Sequence, residues 1–331
     1  MKAVLMTSPG APEVLQIEKV ADPVIENDRE ILVSLKAAGV NPIDTKLRTR
    51  GTFYPEQMPA ILGCDGAGIV TEIGKNVKKF QVGDEVYFCN SGIGLTPGNY
   101  AELAVVDERF VAKKPTSLSF VEAAAAPLVL ITAWESLYDR GNLQAGRKVL
   151  IHGGAGGVGH VAIQLAKLQG AEVATTISSE EKADFVKSLG VDLAIFKNTD
   201  FVEAILDWTN GEGVDLAFDT IGGKVFYDTI PAVKVYGDLV TILEPNYSLG
   251  NLKVARQRNL RIGLELMLTP MMKGLTEAQE DQAKILQQCG RLFDQGKLKI
   301  NVNKTFALDD AMEAHRMLEG GSMIGKIVLT I

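Results

Sequence analysis

Up to about Phe120 the chain advances in short apolar runs, Lys2–Met6, Ile31–Lys36, Ala67–Ile73 and Glu85–Phe88, each set off by Gly, Pro or Asp. Runs of that length and β-rich make-up predict strands. The clusters Gly39-Val40-Asn41-Pro42, Leu62-Gly63-Cys64-Asp65-Gly66 and Val82-Gly83-Asp84-Glu85 predict the turns between them. Such spacing predicts a compact β-barrel or sandwich with long functional loops.

The pattern then changes. Ser119, with Glu122 three residues on, has the spacing of a capping box and predicts an Ala-rich helix running to about Tyr138. From Lys148 strand and helix alternate. Val149–Ile151, Glu172–Ile177, Leu193–Phe196, Leu216–Phe218 and Leu239–Leu243 read as strands. Val158–Gln169, Glu180–Leu189 and Phe201–Trp208 read as helices between them. Strands separated by helical patterns predict an α/β domain with a doubly wound parallel sheet. A helix over Glu277–Phe293 and a strand–helix–strand segment over Asn303–Ile331 close the chain.

The strand Val149–Ile151 opens into Gly153-Gly154-Ala155-Gly156-Gly157-Val158-Gly159, with G-x-G-x-x-G at Gly154, Gly156 and Gly159. A strand before the glycines, an amphipathic helix after them and a second strand beyond form the context of a dinucleotide-binding turn. Glycines let the backbone approach a pyrophosphate, and the helix start offers unpaired N–H groups and the positive end of a dipole. Gly154, Ala155, Gly156, Gly157 and Val158 are therefore the candidate cofactor loop. A site for NAD places Asp or Glu at the end of the second strand. Here that end reads Ile177-Ser178-Ser179-Glu180-Glu181-Lys182, and Glu172 lies at the wrong edge of the sheet. Ser178 and Lys182 can meet a 2′-phosphate, which points to NADP(H); Ser178 or Ser179 capping the next helix, with Lys182 solvated, is the plainer reading.

Composition narrows the class. Hydrophobic residues are 46% and charged residues 23% of 331, an ordinary globular balance. A net charge of −7 lacks the basic footprint of a nucleic-acid or anionic-membrane binder. Three cysteines, Cys64, Cys89 and Cys289, form neither a disulfide framework nor a metal knuckle. No apolar run is long enough to span a bilayer, so a reduced cytoplasmic protein is expected.

These segments resemble the medium-chain dehydrogenase/reductase superfamily, and within it the zinc-free quinone oxidoreductase (zeta-crystallin-like) branch. In order, the matching pieces are Ala38–Asp44, Pro59–Gly68, Val82–Val86, Gly98–Glu102, Ala124–Pro127, Thr132–Trp134, the Gly loop, Asp219–Gly223 and Gly325–Leu329. The resemblance implies a doubly wound parallel Rossmann sheet inserted in a GroES-like β-barrel catalytic domain. It implies a GroES-like domain over 1–122, a Rossmann NADP-binding domain over 123–267 and a return segment over 268–331, with the active site in the cleft between domains. Relatives pair through the Rossmann sheet edge, which implies a homodimer.

Zinc-type members place a Cys early in the barrel and a His-Glu pair in a G-H-E loop. Here Asn41 and Cys64-Asp65 hold those positions, and no nearby His completes a tetrahedral site, so no metal is expected. Without a Lewis acid, reduction of a quinone or α,β-unsaturated carbonyl is better matched than alcohol oxidation, because hydride addition then gives a delocalised anion. Asn41 is the first catalytic candidate, as a donor to the developing oxyanion or to its water; capping the Asn41-Pro42 turn is the alternative. Asp44 orients Asn41 or the ribose, or caps the following helix. Cys64 lines the cleft or is an inert buried thiol. Lys46, Arg48 and Phe53 are expected in a loop facing the cleft. Thr132, Thr220 and Leu243 are the remaining cofactor candidates, the last two at carboxyl ends of sheet strands. The competing functions are a 2-enoyl thioester reductase using Arg48 and Arg50, a zinc-type alcohol dehydrogenase, and a non-enzymatic NADPH- or RNA-binding protein.

Overall fold

A computed structural model describes every residue from Met1 to Ile331. The chain divides into two compact units, Met1–Leu128 together with Leu268–Ile331, and Val129–Met267.

The first unit begins with β1 (Lys2–Met6), β2 (Leu15–Lys19), β3 (Glu30–Val40), α1 (Pro42–Arg50), β4 (Ala60–Ile61) and β5 (Asp65–Ile73). It continues with β6 (Glu85–Cys89), β7 (Leu103–Asp107), β8 (Val111–Lys113) and α2 (Phe120–Ala125), and α3 (Pro127–Trp134) carries the chain onward. The second unit alternates β9 (Lys148–Ile151), α4 (Gly157–Leu168), β10 (Glu172–Ile177), α5 (Glu180–Ser188), β11 (Leu193–Phe196) and α6 (Phe201–Trp208). It then runs through β12 (Val214–Asp219), α7 (Lys224–Thr229), β13 (Val233–Thr241), α8 (Lys253–Gln257) and β14 (Arg261–Leu264). The chain returns to the first unit through α9 (Thr269–Met272), α10 (Thr276–Asp294), β15 (Val302–Ala307), α11 (Ala311–Gly320) and β16 (Lys326–Thr330).

In the first unit a seven-stranded sheet runs β15-β16-β3-β5-β6-β8, with β7 also on β3, beside a small sheet β2-β1-β4. Period-two burial along β3 sends Ile31, Val33 and Leu35 into one core with Val70, Val86, Phe88 and Val106. The second unit is a parallel six-stranded sheet, β11-β10-β9-β12-β13-β14. Its middle residues Ala174, Leu150, Ala217 and Leu239 stand in register and pack with Ile205 and Phe226 from the helices. Strand order reverses between β9 and β12, the switch point at which open α/β sheets bind ligands.

Three expectations need correction. The helix expected from Ser119 to Tyr138 is α2, α3 and a π-helical turn, Glu135–Arg140. Pro127 lacks the N–H that would continue α2 and so opens a new helix. The capping box at Ser119 and Glu122 is present. Gly39 and Val40 belong to β3, not to a turn, because β16 pairs with them there. Lys46 and Arg48 lie in α1 rather than in a loop.

Candidate active site

Between β9 and α4 the glycines are required sterically. A Cβ on Gly159 would sit 2.3 Å from the Gly153 carbonyl oxygen, and one on Gly154 would sit 2.1 Å from Thr175 Oγ1. Gly153 has φ +65°, a left-handed conformation that favours glycine. The N–H groups of Gly153 and Gly154 are tied to Thr176, at 3.1 Å to Oγ1 and 3.2 Å to the carbonyl. The first N–H to close a helical turn is that of His160, on the Gly156 carbonyl at 3.1 Å. The N–H groups of Gly157, Val158 and Gly159 precede it at the positive end of α4. This cradle, which a side chain would fill, fits a dinucleotide pyrophosphate.

His152 anchors the loop from beneath. Its Nε2 lies 2.8 Å from Thr229 Oγ1, whose hydroxyl donates to the Val225 carbonyl, so Nε2 carries the hydrogen. Burial pushes its pKa down to about 4, and it stays neutral. Thr220 Oγ1 donates to the His152 carbonyl at 2.8 Å, joining the turn after β12 to the Gly loop. Asp219 shapes that turn by accepting from the N–H groups of Ile221 and Gly222, both at 2.9 Å. Leu243, half-buried after β13, is held through Thr241 Oγ1, which also bonds Asp219. Thr132 is buried on α3.

Beyond β10 no carboxylate sits at the strand end. Ser179, not Ser178, caps α5 by accepting from the Lys182 N–H. That leaves the exposed Ser178 hydroxyl free of capping, and Lys182 Nζ reaches it at 3.1 Å. A hydroxyl and an ammonium side by side suit a phosphate better than a ribose diol.

The first unit brings Asn41, Asp44, Cys64 and Asp65 into one buried cluster, and adds Lys326, Tyr100 and His315. Asn41 Nδ2 donates to Asp65 Oδ2 at 2.9 Å, and Asp65 Oδ1 accepts the Leu128 N–H at 2.9 Å. Lys326 Nζ donates to the Val40 carbonyl at 3.0 Å and to Asn41 Oδ1, and lies 4.0 Å from Asp65 Oδ2. Asp44 Oδ2 accepts the Asn41 N–H at 2.8 Å and the Tyr100 hydroxyl at 3.0 Å. Tyr100 in turn meets His315 Nε2 at 3.2 Å. Asp44 Oδ1 and His315 Nδ1 have no partner. Asn41 itself is 0% exposed.

Two carboxylates and one ammonium share this dry volume. Burial pushes Asp44 up to about 7. Burial raises Asp65, while Lys326, the Asn41 amide and the Leu128 N–H pull it back down. Burial lowers Lys326, and the two aspartates oppose that shift. For Cys64, contact with Cys89 pulls its pKa down while burial and the aspartates push it up; the net shift is upward, and the thiol stays protonated. Zinc takes convergent His, thiolate and carboxylate ligands. No group of three or more His, Cys, Asp or Glu is placed to hold a metal, and an ammonium stands beside Asp65, so these residues do not fit a zinc ion.

Sequence reasoning missed Lys326, Tyr100 and His315. A lysine opening a strand reads as solvated. The available signal was its place at the head of three consecutive apolar residues, Ile327, Val328 and Leu329. Arg48, expected to face the cleft, is buried and bound by Glu319 instead.

Comparison with known proteins gives two family matches: residues 27–116 match the alcohol dehydrogenase GroES-like domain and residues 189–329 the zinc-binding dehydrogenase family. A zinc-type alcohol dehydrogenase-like protein of Staphylococcus epidermidis is 32% identical, over 91% of this chain and 90% of its own. The 2-methylene-furan-3-one reductase of Solanum lycopersicum is 33% identical, over 99% of this chain and 79% of its own. The crystal structure of Escherichia coli quinone oxidoreductase complexed with NADPH superposes with a TM-score of 0.87 at 28% identity, covering all of both chains.

Proposed function

The chain belongs to the medium-chain dehydrogenase/reductase superfamily, in its quinone oxidoreductase branch, and from that premise we propose that it carries hydride from NADPH to a quinone or an α,β-unsaturated carbonyl without a metal ion. The observation that carries the reading is the buried Lys326 ammonium bound to Asn41 beside Asp65. Asn41, held between Lys326 and Asp65, is then the donor that answers a developing oxyanion, and an acceptor that delocalises its own charge needs no more.

When bound, the reduced nicotinamide supplies the hydride. Gly154, Ala155, Gly156, Gly157 and Val158 would hold the pyrophosphate, Ser178 and Lys182 the 2′-phosphate, and Thr132, Thr220 and Leu243 the remainder. Asn41 presents one amide hydrogen to Asp65 and keeps the second uncommitted. Asn41 is fully buried, so that hydrogen would answer an acceptor oxygen only where the acceptor or an intervening water reaches it. Asp44 fixes the Asn41 backbone. Cys64 excludes water without reacting.

A thioester reductase would need a basic patch for a phosphorylated carrier, and Arg48 is already committed to Glu319. The edge strand β14 has one unpaired side, and Leu264 and Leu266 near it are exposed. An unpaired edge with leucines beside it is a pairing surface, which supports a homodimer.

The test follows NADPH absorbance with 9,10-phenanthrenequinone, 1,4-benzoquinone, a 2-alkenal and crotonyl-CoA, and NADP reduction with a primary alcohol. Turnover of the quinone or alkenal that survives a chelator is expected. Tight NADPH binding with no turnover of any acceptor would favour a binding protein, and alcohol oxidation abolished by the chelator would favour the zinc-type reading.

A further inference from the structure

A fully buried lysine is costly unless its hydrogens and its charge are matched. Lys326 reaches its place by register. Ile327 on β16 is paired with Val40 on β3, so the next position sets Lys326 opposite Asn41. The turn delivering it needs Gly325, with φ +83° and no room for a Cβ, which would meet the Asn301 carbonyl oxygen at 2.2 Å. The Lys326 N–H is bound to that same carbonyl.

A carboxamide has an acceptor end and a donor end of almost equal shape, so its sense in a buried site depends on its neighbours. An ammonium only donates and an ionised carboxylate only accepts. Lys326 on one side of Asn41 and Asp65 on the other therefore permit one arrangement, with Oδ1 toward Lys326 and Nδ2 toward Asp65. We propose that Lys326 is a positioning residue, which acts through Asn41 by fixing the sense of its carboxamide and so the direction of the uncommitted Nδ2 hydrogen. This inference rests on the reading of Asn41 as the donor that answers charge on the acceptor.

The experiment compares wild type, Asn41→Ala, Lys326→Met, Lys326→Gln and the double variant Asn41→Ala/Lys326→Met. Readouts are kcat, KM for the acceptor, NADPH affinity, thermal melting, and the Asn41 side-chain amide signal in ¹⁵N NMR, assigned by its loss in Asn41→Ala. Lys326→Met should lower kcat by about 100-fold, the scale on which misplaced groups cost rate, with NADPH affinity unchanged. Lys326→Gln, which keeps a donor without the charge, should retain more activity than Lys326→Met. In the Asn41→Ala background, removing Lys326 should cost nothing further, because its effect passes through the amide. A purely structural lysine would instead multiply the two losses, and that result overturns the proposal. So does a folded Lys326→Met with wild-type kcat. If Lys326→Met does not fold, Lys326→Gln alone and combined with Asn41→Ala is read by the same criteria.

An inert wild type would overturn the hydride-transfer reading and not this one. The NMR signal then decides: two inequivalent, slowly exchanging Asn41 amide hydrogens, lost on replacing Lys326, are expected. A signal indifferent to residue 326 ends the proposal.

Discussion

Arg48 is held by Glu319 at two points, Nη2 to Oε1 at 2.6 Å and Nη1 to Oε2 at 3.2 Å, with the guanidinium side chain only 3% exposed. The pair fastens α1, which carries Asp44 on its first turn, to α11, which carries His315. Glu319→Gln leaves a buried guanidinium without its counter-charge and should destabilise by about 2–3 kcal/mol. Urea denaturation midpoints measure the loss. Crotonyl-CoA should remain a poor substrate in the wild type, since this arginine has no freedom to bind phosphate.

The cofactor loop is tested at one of its glycines, with a glycine far from it in the chain as the control. Gly159→Ala forces a Cβ against a backbone oxygen and should abolish NADPH binding measured by fluorescence quenching. Gly320→Ala, at the end of α11 with nothing within contact distance of the new methyl, should leave binding intact. Its effect on stability should be neutral or a gain of about 0.5 kcal/mol from the lower entropy of the unfolded chain.

Cofactor choice is tested at Ser178 and Lys182. Ser178→Ala/Lys182→Ala removes one hydroxyl and one charge from the end of β10. NADPH affinity should fall by about tenfold or more while NADH affinity barely moves, as charge-assisted bonds to a phosphate are lost. Equal losses for both cofactors would refute the assignment.

Three buried groups with large shifts contribute to the pH dependence of stability. Asp44, raised by burial from 3.8 to about 7, holds in the folded state a proton that the unfolded chain has lost between those values. Its contribution is fully present below pH 3.8 and is lost as pH rises through 7. His152 and His315, lowered by burial from 6.5 to about 4 and about 3, act in the opposite sense. Their contribution is full above pH 6.5 and is lost as pH falls through those values. Melting temperature should therefore fall on both sides of a mildly acidic maximum, and Asp44→Asn should flatten the alkaline side. Parallel melting curves for wild type and Asp44→Asn from pH 5 to pH 8 would contradict this.

Self-association through the free side of β14 predicts that Leu264→Lys yields a monomer by analytical ultracentrifugation without loss of the fold. A lysine on an exposed strand edge resists pairing. An unchanged sedimentation coefficient would remove β14 from the interface.

Much of the α/β unit was legible in the sequence. Its strands and helices carry their own periodicity, and α6 was expected over its observed span, Phe201–Trp208. The Gly loop was legible because a strand, glycines and a helix follow one another locally. β2, β4, β7, β8 and β14 were not foreseen. Their residues are partly exposed or few in number, and such strands exist only because a neighbour supplies the hydrogen bonds.

The chain order of residues thus determined the fold class, the dinucleotide turn and the membership of Asn41, Asp44 and Cys64 in a chemically interesting stretch. Tertiary structure alone decided what those residues touch. Lys326 meets Asn41 across 285 positions of sequence, Tyr100 meets Asp44 across 56, and His315 meets Tyr100 across 215. Periodicity and turn chemistry act over a few residues, whereas these contacts follow from the register of β16 on β3 and the packing of α11. No local pattern encodes which distant charge a strand pairing will bury beside an amide.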